Sequence, residues 1–172
     1  TRDGERILDL GQGDFWVYDD NHRQQIVTFA RGDVRLTAAI LIDSSTSMKG
    51  RRLRYALRGA GTFLEGLKEI DDAAMLLFSD RLIHSTDFSN DPEVLTSGLS
   101  KAVAAGGTAL NDHLYLALNY LDGRQGRRVV VLLSDGVDIL SVLRMREVLW
   151  RARHSQALIY WIHLAVGQED GS

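Results

Sequence analysis

Leu36-Thr37-Ala38-Ala39-Ile40-Leu41-Ile42 runs almost wholly apolar and then breaks into Asp43-Ser44-Ser45-Thr46-Ser47. Such a run marks a strand covered on both faces, as in parallel sheets, so it predicts a central strand that delivers polar side chains at its carboxyl end. Downstream, Leu53, Leu57, Ala60, Leu64 and Leu67 recur at helical spacing, while Arg51, Arg52, Arg54, Arg58 and Glu65 fall mainly elsewhere; this is an amphipathic helix. Ala73 to Phe78 predicts a second apolar strand. Leu82 to Ser85 follows after Ser79-Asp80-Arg81, too short for a crossover helix, so the two should pair antiparallel with the later one at an edge.

Pro92 suits a first helical turn, and Val94, Leu95, Leu99 and Val103 supply the expected stripe until Ala105-Gly106-Gly107-Thr108 breaks it. Leu110, Leu114, Ala117, Leu118 and Leu121 predict another helix ending near Gly123, and Val129 to Leu133 a strand ended by Ser134-Asp135-Gly136. Val142, Met145, Leu149 and Ala152 predict a fourth helix capped by Ser141, and Leu158 to Val166 a last strand.

Upstream, Asp14 to Ala30 is aromatic and β-branched either side of polar Asp19-Asp20-Asn21-His22, the pattern of a β-hairpin. Alternating strands and helices mean βαβ units, and right-handed crossovers then give an open sheet with helices on both faces. The expected fold is a doubly wound, Rossmann-like α/β domain with a mainly parallel sheet and one antiparallel edge strand, preceded by the hairpin. The chain reads as one domain over 1–172, with 1–32 as hairpin extension and 33–172 as the sheet.

Of the 172 residues, 45% are hydrophobic and 25% charged, as in ordinary globular domains. A net charge of -3 gives no bulk attraction to nucleic acid or anionic membranes. There is no cysteine, which excludes disulfides, zinc-thiolate sites and thiol nucleophiles. The longest apolar stretch, Ala157 to Val166, is interrupted by His163 and falls well short of the ~20 residues a membrane-spanning helix needs.

In open α/β sheets ligands bind beyond the carboxyl ends of the strands. Three segments deliver oxygens there: Asp43 to Ser47, Gly106-Gly107-Thr108 and Ser134-Asp135-Gly136. Hydroxyls and carboxylates without thiolates or a helical His pair suit a hard cation, Mg²⁺ first, with Mn²⁺ or Ca²⁺ as alternatives. Mg²⁺ takes about six oxygens and keeps several waters, so hydroxyls can bind directly, carboxylates can hold waters, and one position stays open for a partner.

The order Asp43-x-Ser45-x-Ser47, Thr108, Asp135 resembles the metal-ion-dependent adhesion site of von Willebrand factor A-type domains. The segments Leu41-Ile42-Asp43-Ser44-Ser45-Thr46-Ser47-Met48, Gly106 to Asp112 and Leu132 to Asp138 are similar to the bacterial branch. The Phe15-Trp16-Val17-Tyr18-Asp19-Asp20 hairpin is similar to the segment preceding the domain in VWFA-related Acidobacterial domain proteins. The resemblance, over roughly residues 14 to 166, implies Ser45, Ser47 and Thr108 as direct ligands and Asp43 and Asp135 as ligands through water, with Asp135 and Thr108 able to exchange roles. It also implies a non-enzymatic adhesion module whose cation holds an Asp or Glu of a protein partner, in a secreted or cell-envelope setting. Ser134 stands where relatives often have Thr. Relatives usually continue into a sixth strand and closing helix beyond the last apolar run, so the reading expects a short sheet or a truncated chain.

Two other functions fit the same residues. A Mg²⁺-dependent phosphohydrolase would use Asp43 as nucleophile, but needs a second Asp where Ser45 stands. A metal-independent scaffold would use the hairpin or sheet edge. No GxSxG, GxxxxGK[ST] or GxGxxG pattern occurs in the context those chemistries require. Arg31-Gly32-Asp33 reads as a turn, and Lys49, Arg51 and Arg52 as an acid-attracting rim or the solvated start of a helix. Asp112 and Asp138 read as helix-terminal charges. The histidines His84, His113 and His163 lack a partner at metal spacing, and Trp16, Trp150 and Trp161 read as packing residues.

Overall fold

A computed structural model describes residues 9–26, 29 and 34–165. The chain divides into two compact units, Thr1–Val34 and Arg35–Ser172.

In the first unit β1 (Val17–Asp19) pairs antiparallel with β2 (His22–Gln24). The turn is the two residues Asp20 and Asn21, both at positive φ, as a tight hairpin of this hand requires. The hairpin is therefore tighter than its composition suggested: His22 belongs to a strand rather than the turn, and Gln25 lies beyond β2. Arg23 lies over the Trp16 ring, 4.5 Å from its centroid. The Arg31-Gly32-Asp33 tripeptide lies outside the described residues.

The second unit is a five-stranded sheet in the order β5-β4-β3-β6-β7. Its strands are β3 (Leu36–Asp43), β4 (Asp72–Phe78), β5 (Leu82–Ser85), β6 (Arg127–Ser134) and β7 (Leu158–His163). β3 pairs parallel with β4 and β6, β6 parallel with β7, and β4 antiparallel with β5. The expected mainly parallel sheet with an antiparallel edge is present.

Period-2 alternation splits the core into two layers. Ala38, Ile40 and Ile42 pack with Met75, Leu77, Val131 and Leu133 against Leu53, Ala56, Ala60 and Leu64 of α1 (Arg51–Glu65). Ala39 and Leu41 pack with Leu76, Phe78, Val130 and Leu132 on the other face. There they meet Leu114, Ala117 and Leu118 of α3 (Leu110–Tyr120) and Val148 of α4 (Met145–Ser155).

Two helices differ from their apolar spacing. The Pro92 segment forms only α2 (Pro92–Thr96) and a separate single turn at Leu99–Lys101. The Thr96 and Ser97 hydroxyls donate back to the Pro92 and Val94 carbonyls, competing with helix continuation, and Val103 is exposed. In α4 only Ala152 of the predicted stripe packs on the core. Met145 and Leu149 are exposed, Val142 lies in the preceding loop, and Ser141 is not the cap. The inward face is Val148, Arg151 and Ser155. Arg151 donates to the Asn119 side chain at 2.6 Å and to the Leu118 carbonyl at 3.3 Å, and it pairs with Asp122. The helix thus turns Arg151 inward, where its guanidinium is hydrogen-bonded, and leaves Met145 and Leu149 outward. The last strand ends at His163 rather than Val166, and every residue of β7 is exposed.

Candidate functional site

Asp43 ends β3 and is fully buried. One carboxylate oxygen accepts the Ser45 backbone N–H at 2.8 Å, and the other accepts the Ser134 hydroxyl at 2.6 Å from the end of neighbouring β6. Burial pushes the Asp43 carboxyl above its ordinary pKa. The bonds from Ser134 and Ser45 pull it back down, and the nearby negative charge of Asp135 raises it further. Asp43 therefore feels the charge at the end of the adjacent strand.

After Asp43 the chain turns through a short 3₁₀ segment, Thr46–Met48, which places the Ser45 and Ser47 hydroxyl oxygens 3.1 Å apart. Ser44 points the other way, donating from both backbone and hydroxyl to the Phe78 carbonyl, at 2.8 and 3.0 Å. The glycine loop is stitched to this turn. Ala105 N–H donates to the Ser44 carbonyl at 2.9 Å, and the Thr46 N–H and hydroxyl donate to the Gly106 carbonyl at 3.1 and 2.8 Å. Gly106 sits at φ +78 with the Asp80 carboxyl 3.2 Å from where a Cβ would be, so glycine is required there. The stitching carries buried Thr108, at the entry to α3, to the same sheet end.

Asp135 follows β6, with only 7% of its side chain exposed. The Arg52 guanidinium donates to its carboxylate at 3.1 Å and also to the Ser47 carbonyl, tying two loops together. From β7 the His163 ring bonds the Asp135 carbonyl at 2.8 Å, and the Trp161 indole N–H donates to the Ser134 carbonyl at 3.3 Å. Gly136, at φ +85, lies over the Trp161 ring with no room for a side chain.

Asp43, Ser45 and Ser47 thus share one turn, Asp135 is tied to them through Arg52 and Ser134, and Thr108 arrives on the loop bonded to that turn. Among the described residues no three His, Cys, Asp or Glu gather, so an imidazole or all-carboxylate cage is not on offer. The donor chemistry, hydroxyls and two carboxylates from neighbouring strand ends, fits a hard cation.

Sequence reasoning missed three contributors. Ser134, outside the expected ligand set, holds Asp43. Arg52, left undecided, braces Asp135. His163, noted only as lacking a partner at metal spacing, bonds the Asp135 backbone carbonyl. The cue for Arg52 was its place in the first helical turn after the Ser47 loop; nothing in sequence spacing links His163 to Asp135. His113 stacks on Phe78 at 4.6 Å and bonds the Ala109 carbonyl at 2.7 Å, and Trp150 stacks on His154 at 4.2 Å.

The family model for the von Willebrand factor type A domain matches residues 38–137. No curated protein sequence matches the chain significantly. Among solved structures, the chain is similar to the conserved hypothetical protein BatB from Bacteroides thetaiotaomicron. That match has 19% identity and TM-score 0.61, covering 76% of this chain and 66% of that one. It is also similar to a von Willebrand factor type A protein from Catenulispora acidiphila, at 18% identity and TM-score 0.60, covering 76% and 33%. The von Willebrand factor domain of the type V pili tip protein Mfa5 from Porphyromonas gingivalis aligns at 23% identity and TM-score 0.55, covering 61% and 39%. The chain thus spans well under half of the pilus-tip chain, and identities this low speak to fold alone.

Proposed function

The chain belongs to the von Willebrand factor type A domain family, and on that premise we propose that it is a non-enzymatic protein-binding and adhesion module. It holds a divalent cation, Mg²⁺, at Asp43, Ser45, Ser47, Thr108 and Asp135, and leaves one coordination position for an Asp or Glu carboxylate of a partner protein. The observation that carries this reading is the buried Asp43 carboxylate at the carboxyl end of the sheet, close enough to Asp135 to feel its negative charge and followed by a turn that brings the Ser45 and Ser47 hydroxyls together. A cation there relieves the repulsion between the carboxylates. Neutral hydroxyls in contact with the metal leave it poorly neutralised, so an incoming carboxylate gains strongly. The pilus-tip and type A relatives support an interaction role in kind.

Calorimetric titration with Mg²⁺ tests the reading: wild type binds and Asp43→Ala does not, whereas equal affinity in the two overturns it. Turnover of a generic aryl phosphate that is lost in Asp43→Asn points instead to the phosphohydrolase, and partner capture undiminished by EDTA to the metal-independent scaffold.

A further inference from the structure

Beside the polar centre, the loop from Val137 to Val142 reverses the usual order of a surface loop. Its polar side chains point into the fold: the Asp138 carboxylate accepts the Leu110 N–H at 3.0 Å, the Ser141 hydroxyl at 2.7 Å and the Asn111 side-chain amide at 2.6 Å. Its four aliphatic side chains face solvent, with Val137 46%, Ile139 65%, Leu140 53% and Val142 87% exposed. Single exposed aliphatics are ordinary, but four in six consecutive residues form a patch of the kind that marks an interaction surface.

The loop is also held still. The Ile139 and Leu140 N–H groups both donate to the Thr108 carbonyl at 3.0 Å. Asp112, reaching from α3, accepts the Val142 and Leu143 N–H groups at 3.0 and 2.8 Å. Ordering is therefore complete before any partner arrives, which lowers the entropic cost of binding. The loop leaves directly from Asp135 and hangs from Thr108, and the Leu140 side chain lies over Gly107. Patch and polar centre share the chain at Asp135 and the Thr108 carbonyl, which puts the patch beside a chain that lends its carboxylate to the centre.

We propose that this loop is the specificity half of the binding surface. It takes a polypeptide segment in which an Asp or Glu is flanked by aliphatic or aromatic side chains, the acid going to the centre and the apolar neighbours to Ile139, Leu140 and Val142. The inference rests on the function proposed above and deepens it.

The test is a random heptapeptide display library panned on the chain in Mg²⁺ and eluted with EDTA. Selected peptides are then titrated against wild type, the double variant Ile139→Ser/Val142→Ser, and Val142→Ser alone, with thermal melts reporting that each variant is folded. The expected result is enrichment of acidic residues with aliphatic or aromatic neighbours, and a loss of roughly tenfold or more in affinity in the double variant. Enriched peptides that are acidic but indifferent to flanking residues, or undiminished by the substitutions, overturn the platform and leave the metal-dependent reading standing. Apolar peptides without an acid that survive EDTA overturn both, as does an absence of enrichment.

Discussion

The two ends of the central sheet both bury aspartates, yet they treat them differently. At the amino end, Asp72 accepts the Thr37 hydroxyl at 2.7 Å and pairs with Arg35 at 2.8 Å and Arg124 at 3.5 Å, while Asp71 accepts the Leu36 and Lys68 N–H groups at 2.8 and 3.0 Å. Negative charge is met by cations from the chain itself, so this end is complete as folded. At the carboxyl end Asp43 accepts the Ser134 hydroxyl and the Ser45 N–H and feels the negative charge of Asp135, while the Arg52 guanidinium is placed on Asp135. One end is a structural clamp. The other holds a buried carboxylate whose pKa is raised by burial, the arrangement that the proposed cation would complete.

The contrast breaks most visibly with metal. At Mg²⁺ a hundredfold above its dissociation constant, wild type should gain about 2.7 kcal/mol of stability over its state in EDTA. Asp43→Ala should gain nothing, as read by urea denaturation. Next, Asp72→Ala strips partners from two arginines and Thr37 at the closed end. It should cost about 2 kcal/mol, discounted because Arg35 and Arg124 are partly solvated, and the loss should be the same in Mg²⁺ and in EDTA. A loss that depends on metal would erase the distinction between the ends. Asp138→Ala, which frees the loop from the start of α3, should cost about 1 kcal/mol in EDTA and weaken Mg²⁺ binding further by loosening Thr108 and Asp135.

The smallest effect comes from protons. Because burial raises the Asp43 pKa in the folded chain, the native state binds this proton more tightly than the unfolded state. In EDTA its contribution should therefore favour folding at acid pH and diminish as pH rises from its ordinary value through the raised one. Asp43→Asn should remove that slope and melt slightly higher than wild type at neutral pH. A melting profile in EDTA with the same slope in both proteins would show that the open end carries no stored charge strain.

How much of this was legible in the sequence follows from range. β3, β4 and β6 are buried on both faces, so their apolar runs needed no partner to be read, and the polar breaks that end β3 and β6 converge because parallel strands finish at one edge; the break that opens α3 joins them only through the bonds of its glycine loop to Ser44 and Thr46. The inward face of α4 was not legible, since it depends on Arg151 finding Asn119 and Asp122 on another helix. The same holds at the site. The Asp43, Ser45 and Ser47 spacing is local and was read directly. Ser134 holding Asp43, and His163 holding Asp135, are contacts across strands that no periodicity encodes. The short α2 was misjudged because apolar spacing ignores hydroxyls that compete for helix carbonyls.

Trp161 gives the molecule a reporter of its own. Its indole bonds the carbonyl immediately before Asp135 and its ring lies under Gly136, so the chromophore is two peptide units from the charge that a cation would neutralise. Trp150 on the outer face of α4 and Trp16 in the hairpin are set on other elements. In a Trp16→Phe/Trp150→Phe background, loading of the carboxyl end can be followed as a change in emission, in real time and without a label.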